Sequence, residues 1–99
     1  MKEEHLSSLP SITHNPAASR FEATVDGQLC VADYRLSGTV MAMTHTLVPP
    51  ALEGRGIAAA LVVEALAHAR RQGWRVRPVC SYVDSYMQRH PETQDLLAA

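Results

Sequence analysis

The 99-residue sequence has no apolar run approaching the roughly 18 residues that a membrane-spanning helix needs. Its opening stretch, MKEEHLSSLPSITHNPAAS, lacks the apolar segment of a secretory signal. Two cysteines, Cys30 and Cys80, are too few for a disulfide framework and fit a reduced, cytoplasmic protein. There is no basic excess: nine Lys and Arg stand against ten Asp and Glu, for a net charge of -1, so nothing marks a nucleic-acid partner. None of the five histidines is spaced as a metal-ligand pair. Repeats and low-complexity tracts are also missing. What is present is a 46% hydrophobic chain of single-domain size, with a small core. Residues 1–10 are polar and read as a flexible tail, leaving 11–99 as one domain.

The first half of that domain alternates apolar and polar residues. RFEATV, residues 20–25, reads as a strand, followed by the hairpin signal Asp26-Gly27. Residues 28–36 return, Ser37-Gly38 turns the chain, and residues 39–48 form a third strand that Pro49-Pro50 ends. By the strict two-residue period of a strand, His45 shares a face with Met41 and Met43. The period then becomes helical. Ile57, Leu61, Ala65 and Ala69 make one stripe, with Ala58, Val62 and Leu66 beside it. Arg70 and Arg71 read as a solvated last turn that suits the helix dipole, and Gly73 is placed at C′. His68 falls between the apolar stripes and reads as an edge or solvated residue. Residues 74–80 give a strand parallel to the third, so strand, helix and strand form one βαβ crossover. Residues 81–90 form a short helix with Ser81 as N-cap, and Pro91 starts a final turn. The fold class is α+β or α/β: an antiparallel meander, a βαβ crossover and a short C-terminal helix.

The helix mouth carries Gly54-Arg55-Gly56. A first helical turn has amides without partners and a partial positive charge, so it holds phosphate. Glycine there admits positive φ and lets an anion approach the backbone, and Arg55 adds a guanidinium for a phosphate. The loop is neither a Walker A motif nor a three-glycine dinucleotide fingerprint, and strand-to-helix loops also carry glycine for geometry alone.

VPPALEGRGIAAALVVEAL resembles the acetyl-CoA-binding segment of the GCN5-related N-acetyltransferases. That superfamily's Gln/Arg-x-x-Gly-x-Gly/Ala pattern falls on Glu53 to Ala58, where Gly56 and Ala58 match and Glu53 departs. RFEATVDG, YRLSGTVMAMTHTLVP, GRGIAAALV and VRPVCSYVDSYMQRHPE resemble, in order, the short single-domain branch of that superfamily, over roughly residues 12–97. The resemblance implies the minimal fold of the superfamily and acetyl transfer from acetyl-CoA to an amine, either a small molecule or a protein lysine. It implies that Thr46, Leu47 and Val48 pair with the pantetheine arm. The pyrophosphate would rest on Gly54, Arg55, Gly56, Ile57, Ala58 and Ala59. It implies Tyr86 as general acid, with Tyr82, which also lies among the cofactor-binding residues, as the other candidate. The short branch also implies a nucleophile–base pair, here Cys80 and His45, with an acetyl-cysteine intermediate. From the residues alone, Cys80 reads equally as a small buried hydrophobe, His45 as a structural histidine, and Tyr82 and Tyr86 as core packing. A non-catalytic acyl-CoA-binding or regulatory module is the alternative function, and a monomer or a homodimer fits the chain.

Overall fold

Polar-apolar alternation in the first half of the chain becomes five hydrogen-bonded strands in the computed structural model, which describes residues 10–99. Residues 1–9 of the expected tail lie outside the described residues. The strands are β1 (Thr13–Asn15), β2 (Arg20–Val25), β3 (Gln28–Ser37), β4 (Val40–Leu47) and β5 (Arg75–Pro78). They lie side by side in chain order. The first three junctions are antiparallel, and β4 with β5 is parallel. Helix α1 (Ile57–Gln72) makes the crossover between β4 and β5, and helix α2 (Ser81–Arg89) follows. No helix among the described residues is long and apolar enough to cross a membrane.

Local chemistry explains the joints. Asp26 and Gly27 both have positive φ, 51° and 75°, as a two-residue hairpin of the primed type requires. The second hairpin turns one residue later than the sequence suggests. Ser37 still pairs with Val40, so Gly38 and Thr39 form the loop and β4 begins at Val40. Helix α1 ends in a Schellman arrangement: the Gly73 amide donates to the Arg70 carbonyl (3.3 Å) and the Trp74 amide to that of Ala69 (2.9 Å). The start of α2 departs from expectation. Pro78 has no amide to continue the ladder, the Val79 amide turns back to the Arg77 carbonyl, and the Cys80 amide is held by the Met43 carbonyl at 2.8 Å. Cys80 therefore stays extended (φ -67°, ψ 131°) and is itself the N-cap, with Ser81 the first helical residue.

Both helices pack on one face of the sheet. Phe21, Ala32, Tyr34, Met41, Met43 and Val76 of the sheet meet Leu61, Val62, Ala65 and Leu66 of α1 and Val83 and Met87 of α2. Ala65 and Ala69 are fully buried, and their small side chains let α1 approach the sheet closely. The last turn of α1 is not simply solvated. Arg70 forks onto the Asp95 carboxylate (2.7 and 3.0 Å), and Arg71 reaches Glu64. The opposite face of the sheet carries Glu22, Asp33, Arg35, His45, Leu47 and Arg77, all half-buried or exposed.

Strand β1 was not legible in the sequence. Its three residues have no apolar alternation, and it is held by side chains. His14 stacks on Phe21 (4.4 Å between ring centres, 13° apart), and its Nε2 lies 2.6 Å from the Tyr34 hydroxyl. His68 also belongs to this cluster, 4.4 Å from His14 and 5.2 Å from Trp74. It is thus a half-buried edge residue packed on other rings.

Burial lowers the affinity of His14 for a proton, neighbouring His68 lowers it further, and Glu64 opposes them. A histidine with a depressed native pKa stabilises the fold fully above its unfolded value, near 6.5. That contribution is lost as pH falls below this value. The melting temperature is expected to drop between pH 7.5 and 5.5, and His14→Gln, though less stable at pH 7.5, is expected to show a shallower drop. Parallel melting curves for the two proteins across this range would remove His14 from the account.

Candidate functional site

The site begins where two strands part. The β4–β5 ladder runs from Val40–Arg75 to Met43–Pro78 and stops there. Strand β4 continues to Leu47, paired only with β3. Its other edge faces an open cleft of about 500 Å³. Thr46, Leu47 and Val48 form one wall of this cleft. Leu52, Glu53, Gly54 and Gly56 also line it, and Ile57, Ala58 and Ala59 present the first turn of α1. Tyr82 lies across from them.

The first turn of α1 is built without the usual caps. Gly56 is the N-cap, at φ 80°, and has no side chain to bond the following amides. No acidic residue occupies the first turn. The Ala60 amide is the first to close an intrahelical bond, to the Gly56 carbonyl (3.0 Å). The amides of Ile57, Ala58 and Ala59 precede it, in the positions that an α-helix leaves without backbone acceptors. Gly54, at φ 84°, makes the same left-handed turn two residues earlier. Arg55 does not line the cleft. Its guanidinium pairs with Asp26 (2.9 Å), tying the glycine loop to the β2–β3 turn, and both side chains are exposed.

A register slip in β4 decides which side chains enter the site. Asp33 opposes His45 and the next residue, Tyr34, opposes Met43, so Thr44 has no opposite number. The Thr44 hydroxyl donates to the Asp33 carbonyl at this bulge (3.4 Å). The extra residue reverses the alternation. Before it, Met41 and Met43 point into the core; after it, Thr46 opposes Ala32 on the core face, while His45 opposes Asp33 on the open face. His45 is exposed and does not share a face with the two methionines. Strict alternation misplaced it because a strand's period of two survives only while the ladder is unbroken.

Cys80 therefore meets Thr46 and not His45. Its Sγ lies 3.6 Å from the Thr46 hydroxyl. Burial pushes the thiol up. The Val83 backbone, the Thr46 side chain and the Tyr82 and Thr46 backbones together outweigh burial and hold it below the ordinary thiol range. None of the helix amides closes a cap bond of good geometry on the sulfur, so their effect is that of nearby donors at a helix N-terminus. Cys30 differs: it is fully buried, and burial pushes its thiol up. Tyr86 is buried outside the cleft lining, its ring stacked on His90 at 3.9 Å. Burial raises its phenol, Glu92 and Tyr82 add to the rise, and Arg89 opposes it. Thr46 as the thiol's partner and Leu52 as a buried part of the lining went unread; the apolar residue between Pro-Pro and Gly-x-Gly was the available signal for Leu52. Among the described residues, no three His, Cys, Asp or Glu side chains converge as metal ligands.

Three comparisons bear on this geometry. The solution structure of a GCN5-like candidate N-acetyltransferase from Staphylococcus aureus superposes with a TM-score of 0.72, covering 90% of this chain and 88% of that one. At 22% identity this likeness establishes a shared fold. Curated proteins give no match to the sequence. The sequence pattern of the GCN5-related N-acetyl-transferase family matches residues 20–96. That match spans most of the chain, including the parted strands and the uncapped helix mouth, and the chain belongs to the GCN5-related N-acetyltransferase family.

Proposed function

We propose that this protein moves an acetyl group from acetyl-CoA to an amine, with Cys80 carrying the acetyl group between them. One observation carries the reading: the free edge of β4 and the uncapped start of α1 line one cleft, and Thr46 on that edge lies 3.6 Å from the Cys80 thiol. A pantetheine arm presents amides to such an edge, and a pyrophosphate suits such a helix start. Family membership supports the same chemistry. Arg55 would reach the phosphates only by leaving Asp26, and Glu53, exposed at the rim, adds nothing favourable to an anion.

The proposed sequence of events follows from the residues. The Cys80 thiolate attacks the thioester carbonyl, a carbon–sulfur bond to the enzyme forms, and the CoA thiolate leaves with its electron pair. The amides of Tyr82 and Val83 favour the thiolate over the thiol. The amine then attacks the acetyl-cysteine, the Cys80 thiolate returns, and the amine's proton is lost. His45 stands on the open face at the parted strands and takes that proton, in place of the expected contact with Cys80. Tyr82 lines the cleft and would act near the leaving sulfur, in preference to Tyr86.

Two measurements test this reading. Acetyl-CoA at about a hundred times its dissociation constant adds roughly 2.7 kcal/mol to stability, and for a domain this small the melting temperature is expected to rise on the order of 10 °C. ADP is expected to raise it far less, and Gly56→Val is expected to lose most of the acetyl-CoA shift, since a β-branched residue at φ 80° distorts the helix mouth. No shift at millimolar acetyl-CoA would sink the proposal.

The second measurement follows the thiol. Thr46→Val removes one of the bonds that favours the thiolate, so the pH midpoint of Cys80 alkylation is expected to move upward. Intact mass after incubation with acetyl-CoA is expected to show one added acetyl group in the parent and none in Cys80→Ala. Transfer to amines that persists in Cys80→Ala would replace the covalent route with direct attack, and binding without any transfer would leave an acyl-CoA-binding module.

A further inference from the structure

The open face of the sheet carries an ordered pattern of charge beside the parted strands. Arg35 on β3, Ala42 on β4 and Arg77 on β5 form one row across the three strands. Neighbouring strands lie roughly 4.8 Å apart, so the two arginine α-carbons stand about 10 Å apart. Both side chains are exposed, and only the methyl group of Ala42 stands between them. The four ion pairs among the described residues use Arg20, Arg55, Arg70 and Arg71, and Arg75 donates to the Asp95 carbonyl. Among the described residues Arg35 and Arg77 enter no ion pair or side-chain hydrogen bond. The row lies one step short of Met43–Pro78, the last β4–β5 pair before the cleft. On the other side of the bulge, Asp33 lies between His45 of β4 and Arg20 of β2 on this same face, with the Arg20 guanidinium held by Glu22 (2.8 Å). The Arg35–Arg77 row and the Asp33 carboxylate therefore stand about 7 Å apart along the strands.

We infer that this face receives a lysine of a peptide whose neighbouring residues are acidic. The inference rests on the acetyl-transfer reading for its catalytic meaning, though not for its binding test. The lysine ammonium is drawn toward Asp33 and delivered to the parted strands. A carboxylate from an adjacent residue lies over Ala42, where Arg35 and Arg77 reach it from both sides. Guanidinium groups suit this role because each presents a fork of donors to a carboxylate. A peptide fits better than a small molecule because Arg35, Arg77 and His45 are exposed and lie outside the cleft lining, whereas small ligands sit in concave sites. A bare diamine leaves both arginines without an anion.

The binding test uses isotope-labelled protein and two short capped peptides, one with lysine between aspartates and one with lysine between asparagines. Amide shifts at Arg35, Ala42 and Arg77 are expected to saturate with the aspartate peptide, to weaken with added salt, and to stay small with the asparagine peptide. Arg35→Gln and Arg77→Gln alter exposed side chains, so melting temperatures close to the parent's are expected. Each is expected to weaken the aspartate peptide by up to about fivefold. Equal binding of both peptides, shifts confined to another surface, or shifts that grow with protein concentration alone, as for a second copy seated on this face, would each overturn the inference. Acetyl-CoA is tested separately by its melting shift. Saturation by the acidic peptide without that shift keeps the surface and removes acetyl transfer, whereas an acetyl-CoA shift without peptide saturation does the reverse.

Discussion

Everything at the site depends on one strand losing a partner. Strand β4 is hydrogen-bonded on both sides up to Met43 and on one side beyond it. Proline ends the neighbouring ladder, because Pro78 has no amide to donate. The chain then turns at Val79 and is pinned again by the Cys80 amide on the Met43 carbonyl. That single bond fixes where the gap starts, where α2 begins, and where the Cys80 thiol sits. Unpaired backbone is costly when buried and tolerable where water or a ligand can reach it. The gap accordingly opens into a cleft.

The electrostatics of the cleft come mainly from backbone. Leaving Gly56 as N-cap removes the side chain that would ordinarily satisfy the first amides of α1. The same device in weaker form operates at Cys80, where the start of α2 and the Thr46 hydroxyl together overcome the effect of burial on the thiol. Two helix starts thus contribute to one cleft, α1 through Ile57, Ala58 and Ala59 and α2 through Tyr82. Among the described residues, the one charged member of the cleft lining is Glu53, and Arg55 is held outside it by Asp26.

Much of this was legible in the residues, for reasons tied to particular positions. Asp26-Gly27, Gly73 and the Ile57–Leu61–Ala65–Ala69 stripe act through local geometry, and local geometry is written in adjacent residues. The Gly54 and Gly56 turns were readable for the same cause. The placement of His45 was not, because the Thr44 bulge is a mismatch in length between β3 and β4, and no residue of β4 alone announces it. Ser81 looked like the better cap by residue type, yet a backbone bond from Cys80 to a distant strand set the helix start. Strand β1 and the ring contacts of His68 escaped notice because they come from rings contributed by Phe21, Tyr34 and Trp74, far apart in the chain. In each miss, tertiary contact overrode local preference.

The rims of the sheet complete the picture. Strand β1 is three residues long, and on the far side the Ala98 amide donates to the Val76 carbonyl (2.8 Å), so the C-terminal segment already occupies the outer edge of β5. Sheets with free rims invite other chains to join them, and short or covered rims discourage this. Here β1 covers Arg20–Glu22 of β2 and the C-terminal segment covers Val76 of β5, while a vacancy is kept in the interior, between the fourth and fifth strands. A molecule that extends the sheet by backbone-like pairing finds an open place between β4 and β5, while β1 and the C-terminal segment cover part of the outer rim, so resistance to aggregation and room for a guest backbone come from one distribution of unpaired groups.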